Sequence, residues 1–404
     1  MSIFEDLWQQ EIDALKAKSL LRSHRLLSSP QQIEPLVDGR KLLSFCSNDY
    51  LGLANHTALK KAAKSCIDRS GVGSGASHLV VGHHQEHEAL ECELAEFTGR
   101  DKALVFSSGY MANLAVVSTL VGKGDIVLQD KLNHASLIDG GLLSGARFQR
   151  YLHNDVSSLS SHLDKLSTRS QPVGVKQSKA LVVSDGIFSM DGDIAPLKDI
   201  AATCTAQGAL LMVDDAHGLG VIGEQGKGSC NVFGLAQKDV PVLMGTFGKA
   251  FGTSGAFVAG SELLIDYLTQ AARPYIYTTA MPPAIAAATR ASLDLIKKAD
   301  QKRAHLSSLI TYFRLEAQAL GYCLVESNSP IQPLIIGSSD DAIALSNFLL
   351  SQGILVTAIR PPTVPANTSR LRVTFSADHD LAHVEQLLDA LSMAIDLGIV
   401  TPDV

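Results

Sequence analysis

A single lysine in a glycine-rich stretch is the residue of this sequence best suited to covalent chemistry. The stretch "MGTFGKAFGTSGAFVAG" surrounds Lys249, and no other charged residue lies between Asp239 and Glu262. A lysine amine in a pocket at the end of a strand can form a Schiff base with a carbonyl group. A Walker A phosphate loop is excluded, because alanine follows Gly248-Lys249 and the first glycine of that motif is absent. Taken alone, the stretch fits a surface lysine in a loop equally well.

A second segment, "VDDAHGLG", places Asp214 and His217 at the end of another apolar run. A pyridoxal phosphate ring needs a carboxylate against its pyridine nitrogen, which makes the ring an electron sink. Asp214 fits that role, and His217 is placed to hydrogen-bond the phenolic oxygen. The same D-x-x-H spacing also occurs as an ordinary strand-end turn with a capping aspartate, so the segment does not decide the matter alone.

Three further segments add polar groups of the kind that this cofactor needs. "SSGYMAN" predicts a strand-to-helix turn whose free N–H groups and helix dipole suit a phosphate, and Gly109 permits close backbone approach. His134 of "NHASL" could lie on the face of a flat ring, and Ser189 of "DGIFSMDGD" offers another donor. Each feature alone has a structural explanation, but their co-occurrence favours a pyridoxal phosphate site.

The elements that must position these residues alternate between strands and helices. Short apolar runs predict strands at "KALVF", "DIVLQD", "ALVVSD", "ALLMVDD", "VPVLMGT" and "GAFVAG". Helical patterns such as "LKDIAATCTAQG" separate most of them. Continuous apolar runs are typical of strands that are covered on both faces. The pattern predicts an α/β fold with a mainly parallel mixed sheet flanked by helices.

The chain divides into a large and a small domain. We assign residues 46–285 to a large cofactor-binding domain and residues 286–404 to a smaller C-terminal α+β domain with a short antiparallel sheet. Residues 1–45 are predicted to form a helix and an arm that pack on the small domain. The helix is predicted from apolar residues at helical spacing, namely Phe4, Leu7, Trp8, Ile12 and Leu15.

Composition excludes several other classes of protein. The 404 residues are 46% hydrophobic and carry a net charge of −7, which disfavours nucleic-acid binding and offers no polybasic membrane signal. No apolar run approaches the roughly 18–20 residues of a membrane span, and the first residues do not resemble a signal peptide. The six cysteines are scattered without a CxxC pair, which predicts reduced thiols and a cytoplasmic location.

A histidine cluster raises a function of a different class, which is metal binding. His83 and His87 in "HHQEH" are four residues apart, so they would share a helix face and could ligate zinc. The longer segment "HHQEHEALECELAEFTG" is typical of the charged, solvated start of a helix. We therefore predict no metal site.

The chain as a whole resembles the α-oxoamine synthases, a family of pyridoxal-phosphate enzymes of fold type I. The motifs that carry the resemblance are spread over nearly the whole sequence. They are "SNDYLGL", "GSGASHLVVG", "SSGYMAN", "NHASL", "FSMDGD", "VDDAHGLGVIGEQGKG", "TFGKAFGTSGA", "YTTAMPP" and "RLRVTFSADH". The resemblance implies the fold of that superfamily and a homodimer with shared active sites.

The resemblance also implies roles for individual residues. Lys249 would hold pyridoxal 5'-phosphate covalently, with His134 and Asp214 as the other catalytic residues. The cofactor contacts that it implies are Gly109, Tyr110, His134, Ser189, Asp214, His217, Thr246 and Lys249, with Thr279 reaching the phosphate in the partner subunit. The substrate contacts that it implies are Arg22, Asn48, His134, Thr363 and Arg372. Arg372 would clamp the amino-acid carboxylate, and Arg22, or Arg25 in its place, would lie near the acyl end.

Within the family, the segments "SNSPIQPLIIG" and "VTAIRPPTVP" indicate a member that condenses L-alanine with a pimeloyl thioester in biotin biosynthesis. Carbon dioxide and the free thiol carrier would be the other products. The carrier is coenzyme A or an acyl-carrier protein, and the sequence does not distinguish them. A glycine-using member such as glycine C-acetyltransferase is the alternative.

Overall fold

The computed structural model describes residues 2–18, 20–167 and 178–401. Its strands, numbered in chain order, are β1 (Leu36–Val37), β2 (Arg40–Lys41), β3 (Leu43–Ser44), β4 (Lys102–Phe106), β5 (Ile126–Asp130), β6 (Arg147–Tyr151), β7 (Ala180–Asp185), β8 (Leu210–Asp214), β9 (Val242–Thr246), β10 (Ala256–Gly260), β11 (Cys323–Leu324), β12 (Ile331–Gly337), β13 (Ile354–Leu355), β14 (Thr357–Ile359) and β15 (Ser369–Thr374).

The α-helices account for much of the remaining described chain. They are α1 (Ile3–Ala17), α2 (Thr57–Ser70), α3 (Gln85–Thr98), α4 (Gly109–Leu120), α5 (Ala135–Leu143), α6 (Val156–Ser167), α7 (Leu197–Gln207), α8 (Ser229–Val232), α9 (Glu262–Ala271), α10 (Arg273–Ile276), α11 (Pro283–Ile296), α12 (Asp300–Ala319), α13 (Ser339–Ser351) and α14 (Leu381–Asp396). No helix among the described residues is long and apolar enough to span a bilayer.

The predicted mixed sheet is present, with seven strands in the described chain in the order β4-β10-β9-β8-β7-β5-β6. Strand β10 runs antiparallel to both of its neighbours, and the other pairs are parallel. All six strands predicted from apolar runs belong to it. The seventh, β6, was missed because its sequence "RFQRY" is mostly polar and only Tyr151 is fully buried.

Helices cover both faces of this sheet, as the continuous apolar strands require. Leu181 and Val183 of β7 pack into one apolar cluster with α4 residues, whereas Val182 packs into another with Ile200 of α7. Successive side chains of a strand point to opposite faces. The sheet therefore forms the middle layer between two helical layers, and its polar chemistry is confined to strand ends.

The C-terminal part contains the predicted small antiparallel sheet, in the order β11-β12-β15-β14. The long helical stretch that leads to it is divided at residues 297–299 into α11 and α12. Strand β3 of the N-terminal arm pairs in parallel with β13. This pairing brings the residues that follow β3, including Asn48, towards the small sheet.

The N-terminal helix corrects one expectation. Helix α1 forms as predicted and has a capping box between Ser2 and Glu5, but none of its residues is buried. Its apolar side chains, including Phe4 and Trp8, are exposed. The expectation that it packs on the small domain is therefore wrong within one chain, because an amphipathic pattern specifies a helix but not the surface that covers it.

Candidate active site

Three strand ends bring the main ionisable groups together. Asp185 and Asp214 end the adjacent parallel strands β7 and β8 and are direct partners in their register. Lys249 lies in the turn that follows β9, the next strand of the sheet. In open α/β sheets, ligands bind outside the carboxyl ends of the parallel strands. The fold thus places an amine and two carboxylates at the edge where a ligand is expected.

A cavity of about 190 Å³ opens at this edge. Its lining contains every cofactor contact implied by the resemblance except Thr279. The lining residues are Gly109, Tyr110, Asn113, His134, Ser136, Asp185, Ser189, Asp214, Ala216, His217, Met244, Thr246 and Lys249. Segments more than a hundred residues apart in sequence therefore meet in one site.

Lys249 has the environment of a reactive amine. Burial lowers its pKa to about 8, although the charges of Asp214 and Asp185 act in the opposite direction. Its Nζ lies 2.7 Å from Nε2 of His217. Burial, reinforced by the charge of Lys249, holds the pKa of His217 well below its ordinary value, so this imidazole is neutral. A neutral or readily deprotonated lysine is the form that attacks carbonyl groups and removes protons.

A chain of hydrogen bonds runs from Lys249 to Arg372. The hydroxyl of Tyr50 lies 2.6 Å from Nδ1 of His217 and donates to Oδ1 of Asn48 at 3.2 Å. The same oxygen accepts from both terminal nitrogens of Arg372 at 3.3 Å. Because Asn48 Oδ1 can only accept, the chain is satisfied when His217 donates from Nδ1 and accepts at Nε2.

The carboxylates are held by their own donors. Asp214 accepts from Nδ2 of Asn113 at 2.7 Å and from the Ala216 amide at 3.0 Å. Asp185 accepts from the His134 amide at 2.8 Å. Burial, together with the charge of Asp214, raises the pKa of Asp185 well above its ordinary value. This raised pKa reflects the proximity of the two carboxyl groups, because two adjacent carboxylates rarely ionise together.

One end of the cavity has the structure of an anion site. The side chain of Ser108 caps α4 by accepting from the Met111 amide at 3.2 Å, and Gly109 begins the helix. A Cβ at Gly109 would lie 3.6 Å from Oγ1 of Thr246, so it would fill the space between the helix N-terminus and that hydroxyl. Free N–H groups, the helix dipole and a hydroxyl are the groups that bind phosphate.

Arg372 reaches the site from the small sheet. It lies on β15, is only 9% exposed, and donates from Nε to the backbone oxygen of Ser189 at 2.7 Å and from Nη1 to Thr374 at 2.9 Å. Its terminal nitrogens also contact Asn48, another of the substrate contacts that the resemblance implied. The guanidinium thus connects the small sheet to the segment that carries Ser189.

Five residues implied as contacts do not line the cavity of this chain. Asn48 and Arg372 are connected to its lining by the hydrogen bonds described above, and the other three are exposed. Arg22 and Thr363 are exposed and do not line it. Thr279 is also exposed, and its backbone oxygen accepts from Ser107 at 3.1 Å. The structure therefore brings Lys249 and its partners together but does not bring these three to them.

The site also contains residues that the sequence reasoning missed, namely Tyr50, Asn113, Ser136 and Asp185. Asp185 had a usable signal, because it ends an apolar strand in the same way as Asp214. Asn113 lies one turn into the helix of "SSGYMAN", on the face that follows Gly109. The hydroxyl of Tyr50 is within reach of His217 only through the tertiary fold, since the two residues are far apart in sequence.

Among the glycines around Lys249, the packing of the protein requires Gly252 but leaves room for a Cβ at Gly248. At Gly252, φ is +65° and a Cβ would lie 2.5 Å from the backbone nitrogen of Ala54. Gly248, next to the lysine, has only Thr246 and Thr253 atoms within 4 Å of such a Cβ, the nearer at 3.8 Å. The tight turn after β9 therefore depends on packing against the segment around Ala54.

The histidine cluster differs from its expected placement. His83 precedes α3, so it does not share a helix face with His87, and both Glu86 and His87 are buried instead of solvated. His87 accepts from the His84 amide at 2.9 Å and lies 2.8 Å from the backbone oxygen of Met281. The predicted solvated helix start is wrong, and both ring nitrogens of His87 are engaged by the backbone.

Comparisons with known proteins assign the class. The family model for class I and II aminotransferases matches residues 40–391. A serine palmitoyltransferase from S. paucimobilis, solved with a bound PLP–myriocin aldimine, is 31% identical, with a TM-score of 0.89 and 97% of each chain covered. The chain belongs to the class I and II aminotransferase family, and it depends on pyridoxal phosphate (PLP).

More specific relatives share one name. The 8-amino-7-oxononanoate synthase of Cellvibrio japonicus is 59% identical over 376 residues, which are 93% of this chain and 92% of that protein. A solved enzyme of the same name from Francisella tularensis is 33% identical, with a TM-score of 0.76, and the match covers 89% of this chain and 99% of that one. The resemblance inferred from the motifs and the predicted cofactor are confirmed.

The residues present fit pyridoxal phosphate. Lys249 supplies an amine of lowered pKa, Asp214 a carboxylate, and the N-terminus of α4 with Thr246 an anion site. Oδ1 of Asn113, which lines the cavity, is buried without a hydrogen-bond partner among the described residues. Buried polar atoms are normally paired, so this oxygen lacks a donor that the described residues do not supply.

Proposed function

We propose that this enzyme condenses L-alanine with a pimeloyl thioester to give 8-amino-7-oxononanoate, carbon dioxide and the free thiol carrier. The alanine Cα forms a bond to the thioester carbonyl carbon, the C–S bond breaks, and the carboxylate leaves as CO₂. The observation that carries the proposal is the hydrogen bond from Arg372 Nε to the backbone oxygen of Ser189, a residue that lines the cavity containing Lys249 and Asp214. Similarity to relatives named 8-amino-7-oxononanoate synthase supports the choice of substrates.

Lys249 is proposed as the base. Bound pyridoxal phosphate would supply the electron sink for the substrate Cα, with Asp214 against its pyridine nitrogen. With substrate at the cofactor site, the amine of Lys249 would take the Cα proton at Nζ and return a proton to the same carbon after CO₂ has left, and its lowered pKa suits these transfers. His217 and Ser189 would hydrogen-bond the phenolic oxygen of the cofactor, and His134 would lie against its ring. The phosphate side would be contacted by Gly109, Tyr110 and Thr246.

Arg372 is proposed to hold the alanine carboxylate. Its contacts with Asn48 Oδ1, at 3.3 Å, are longer than its contacts with Ser189 and Thr374. A carboxylate that took the place of that oxygen would gain the planar, two-pronged geometry that guanidinium groups favour. Asn48 would then be free to assist from its amide. Arg22 and Thr363 remain proposed contacts for the acyl substrate.

We also propose a cytoplasmic homodimer with shared active sites, in which Thr279 serves the partner's cofactor phosphate. Its exposure on one chain is consistent with that role. Mixing a Lys249→Ala variant with a Thr279→Ala variant tests the arrangement. If the sites are shared, some mixed dimers regain one site with both residues intact. A mixture that is no more active than its components would contradict it.

The function is tested by turnover with a matrix of substrates and by the mass of each product. L-Alanine and glycine are each offered with pimeloyl-coenzyme A, pimeloyl-acyl-carrier protein and acetyl-coenzyme A. The proposal expects the greatest kcat/KM for L-alanine with a pimeloyl donor. Preference for glycine with acetyl-coenzyme A would instead indicate a glycine C-acetyltransferase activity. The two pimeloyl donors identify the carrier.

A further inference from the structure

A histidine outside the cavity bridges two carboxylates, one buried and one partly exposed. Nδ1 of His153 lies 3.0 Å from Oδ1 of Asp130, and its Nε2 lies 2.8 Å from Oδ2 of Asp193. Burial alone would lower the pKa of His153, but the hydrogen bonds and charges of the two aspartates outweigh it and raise the pKa to about 10. His153 is therefore an imidazolium that donates from both ring nitrogens. Asp130 ends β5 of the large sheet and is fully buried.

Asp193 belongs to a tight loop of residues 188–193, here called the 188–193 loop. The backbone N–H of Phe188 donates to the backbone oxygen of Asp193 at 3.0 Å. The backbone N–H of Gly192 donates to the backbone oxygen of Phe188 at 2.8 Å. These two bonds close the loop on itself. The position of Asp193 therefore determines the position of Ser189, which lies within the closed loop.

The 188–193 loop contacts both the cavity and the small domain. Ser189 lines the cavity, and its backbone oxygen accepts from Nε of Arg372. Asp191 forms an ion pair with Arg370, which is 5% exposed. The oxygen of Gly192 accepts from Oγ of Ser327 at 2.8 Å. One short loop thus joins the large sheet to the sheet that carries the proposed carboxylate clamp.

We propose that His153 is a positioning residue. It anchors the 188–193 loop to β5 and thereby holds Ser189 and Arg372 in place beside the Lys249 cavity. The proposal rests on the proposed function, because it assigns the clamp to Arg372. His153 touches neither the cavity lining nor the guanidinium, so it acts through Asp193. Displacement of a substrate-positioning group by about 1 Å can cost on the order of 10²-fold in rate.

A second set of hydrogen bonds, from uncharged donors to the same two aspartates, allows the proposal to be tested without unfolding the protein. Asn154 donates from its backbone N–H to the carboxylate of Asp130 at 2.8 Å and from its side-chain Nδ2 to the carboxylate of Asp193 at 2.6 Å. These bonds connect the same two carboxylates. Variants of His153 therefore retain a tie between β5 and the loop, but they lose the charged bridge that fixes its position.

Two substitutions each remove one half of the bridge. In His153→Asn the amide nitrogen takes the place of Nδ1 and keeps the Asp130 bond, whereas in His153→Gln it takes the place of Nε2 and keeps the Asp193 bond. Because each variant loses one of the two bonds that fix the loop, and a displaced positioning group costs on the order of 10²-fold, each should raise the KM for L-alanine by about tenfold or more. Arg100→Met is the matched control, because Arg100 is buried and its hydrogen bonds go to the backbone of Thr98 and Val240 and not to the 188–193 loop.

Hydrogen–deuterium exchange of the holoenzyme supplies a readout that does not depend on turnover. The Phe188 and Gly192 amides should exchange faster in both His153 variants and at the wild-type rate in Arg100→Met. That control should lower the unfolding midpoint without changing the alanine KM. A wild-type alanine KM, or unchanged exchange of the loop, in either His153 variant would overturn the positioning role.

The two proposals fail in different ways. If the wild type shows no turnover with L-alanine and any pimeloyl donor, the proposed function fails, while the exchange comparison still tests the anchor. If the wild type turns over and both His153 variants match its alanine KM, only the positioning role fails.

Discussion

The surroundings of Lys249 shift the pKa of its amine in two opposite directions. Burial favours the neutral amine, while Asp214 and the nearby Asp185 favour the charged one, and the balance leaves the pKa at about 8. His217 is held neutral beside it. An amine in this balance can change its protonation state near neutral pH, which suits the proposed roles of Lys249 as covalent anchor and as base.

Replacement of Lys249 by alanine tests this assignment. We expect kcat to fall by about 10³-fold or more, because both the base and the covalent anchor are lost. The visible absorbance of the covalently held cofactor should disappear, while far-UV circular dichroism stays unchanged. Lys61→Ala, an exposed lysine on α2, is the control and should retain full activity. If the turnover of Lys249→Ala is close to that of Lys61→Ala, Lys249 is not required for the reaction.

Arg372 offers a test of geometry apart from charge. Lys at this position keeps the positive charge but cannot present two parallel N–H groups to a carboxylate. We expect Arg372→Lys to raise the KM for L-alanine by about tenfold or more, since a charged hydrogen bond contributes about 1.5–3 kcal/mol. Steady-state kinetics at saturating acyl donor measure this. An unaltered alanine KM would place the carboxylate elsewhere.

Residues of the site were predictable where a motif carried them. Lys249, Asp214 and His217 lie in short segments whose spacing indicates the chemistry. Tyr50 was not predictable in this way, because its hydroxyl acquires a role only when the chain after β3 is brought beside His217. Asp185 was missed although its position at a strand end is equivalent to that of Asp214.

Among the elements, the turn after β9 depends on a glycine for steric reasons. At Gly252 the backbone has φ of +65°, and a Cβ would meet the backbone nitrogen of Ala54, which cannot rotate away as a side chain could. The turn that carries Lys249 is therefore held against the segment around Ala54. A side chain at this position would displace the lysine as well as strain the backbone.

Gly252→Ala and Gly39→Ala form a matched pair. Both positions have positive φ, but a Cβ at Gly39 would have no atom within 4 Å. We expect about 1–3 kcal/mol of destabilisation from backbone strain in each protein, and a further loss from the clash in Gly252→Ala alone. Urea denaturation measures the difference. Equal destabilisation of the two variants would show that the contact with Ala54 is unimportant.

The elements also show what a sequence pattern can and cannot specify. The six apolar strands were predicted because burial on both faces leaves a continuous apolar run. Strand β6 lies at the edge of the sheet, where half-exposed residues need no such run. Helix α1 formed as predicted, yet its exposed apolar side chains show that periodicity does not determine the partner surface.

At the scale of the whole molecule, the bridge between β5 and the 188–193 loop links stability to pH. Folding raises the pKa of His153 from 6.5 to about 10. A group with a raised folded-state pKa contributes stability that is fully present below 6.5 and is lost as the pH rises through 10. The contribution of His153 should therefore decline across that interval.

The comparison of wild type with His153→Asn isolates this contribution, because the other titrating groups are common to both proteins. We expect the difference in their free energies of unfolding to be largest near pH 6 and to shrink as the pH approaches 10. Denaturant titrations at several pH values measure it. A difference that is constant, or that grows with pH, would contradict the charged bridge.

The most direct test of the whole account follows the carbon atoms of the amino acid. Wild-type enzyme is supplied with L-alanine labelled with ¹³C at all of its carbons and with an unlabelled pimeloyl thioester. The account predicts that the Cα and Cβ labels appear in the amino ketone and that the carboxylate label appears in CO₂. Recovery of every label in pyruvate, as transamination would give, would contradict the central claim that Lys249 and Arg372 serve a decarboxylative condensation.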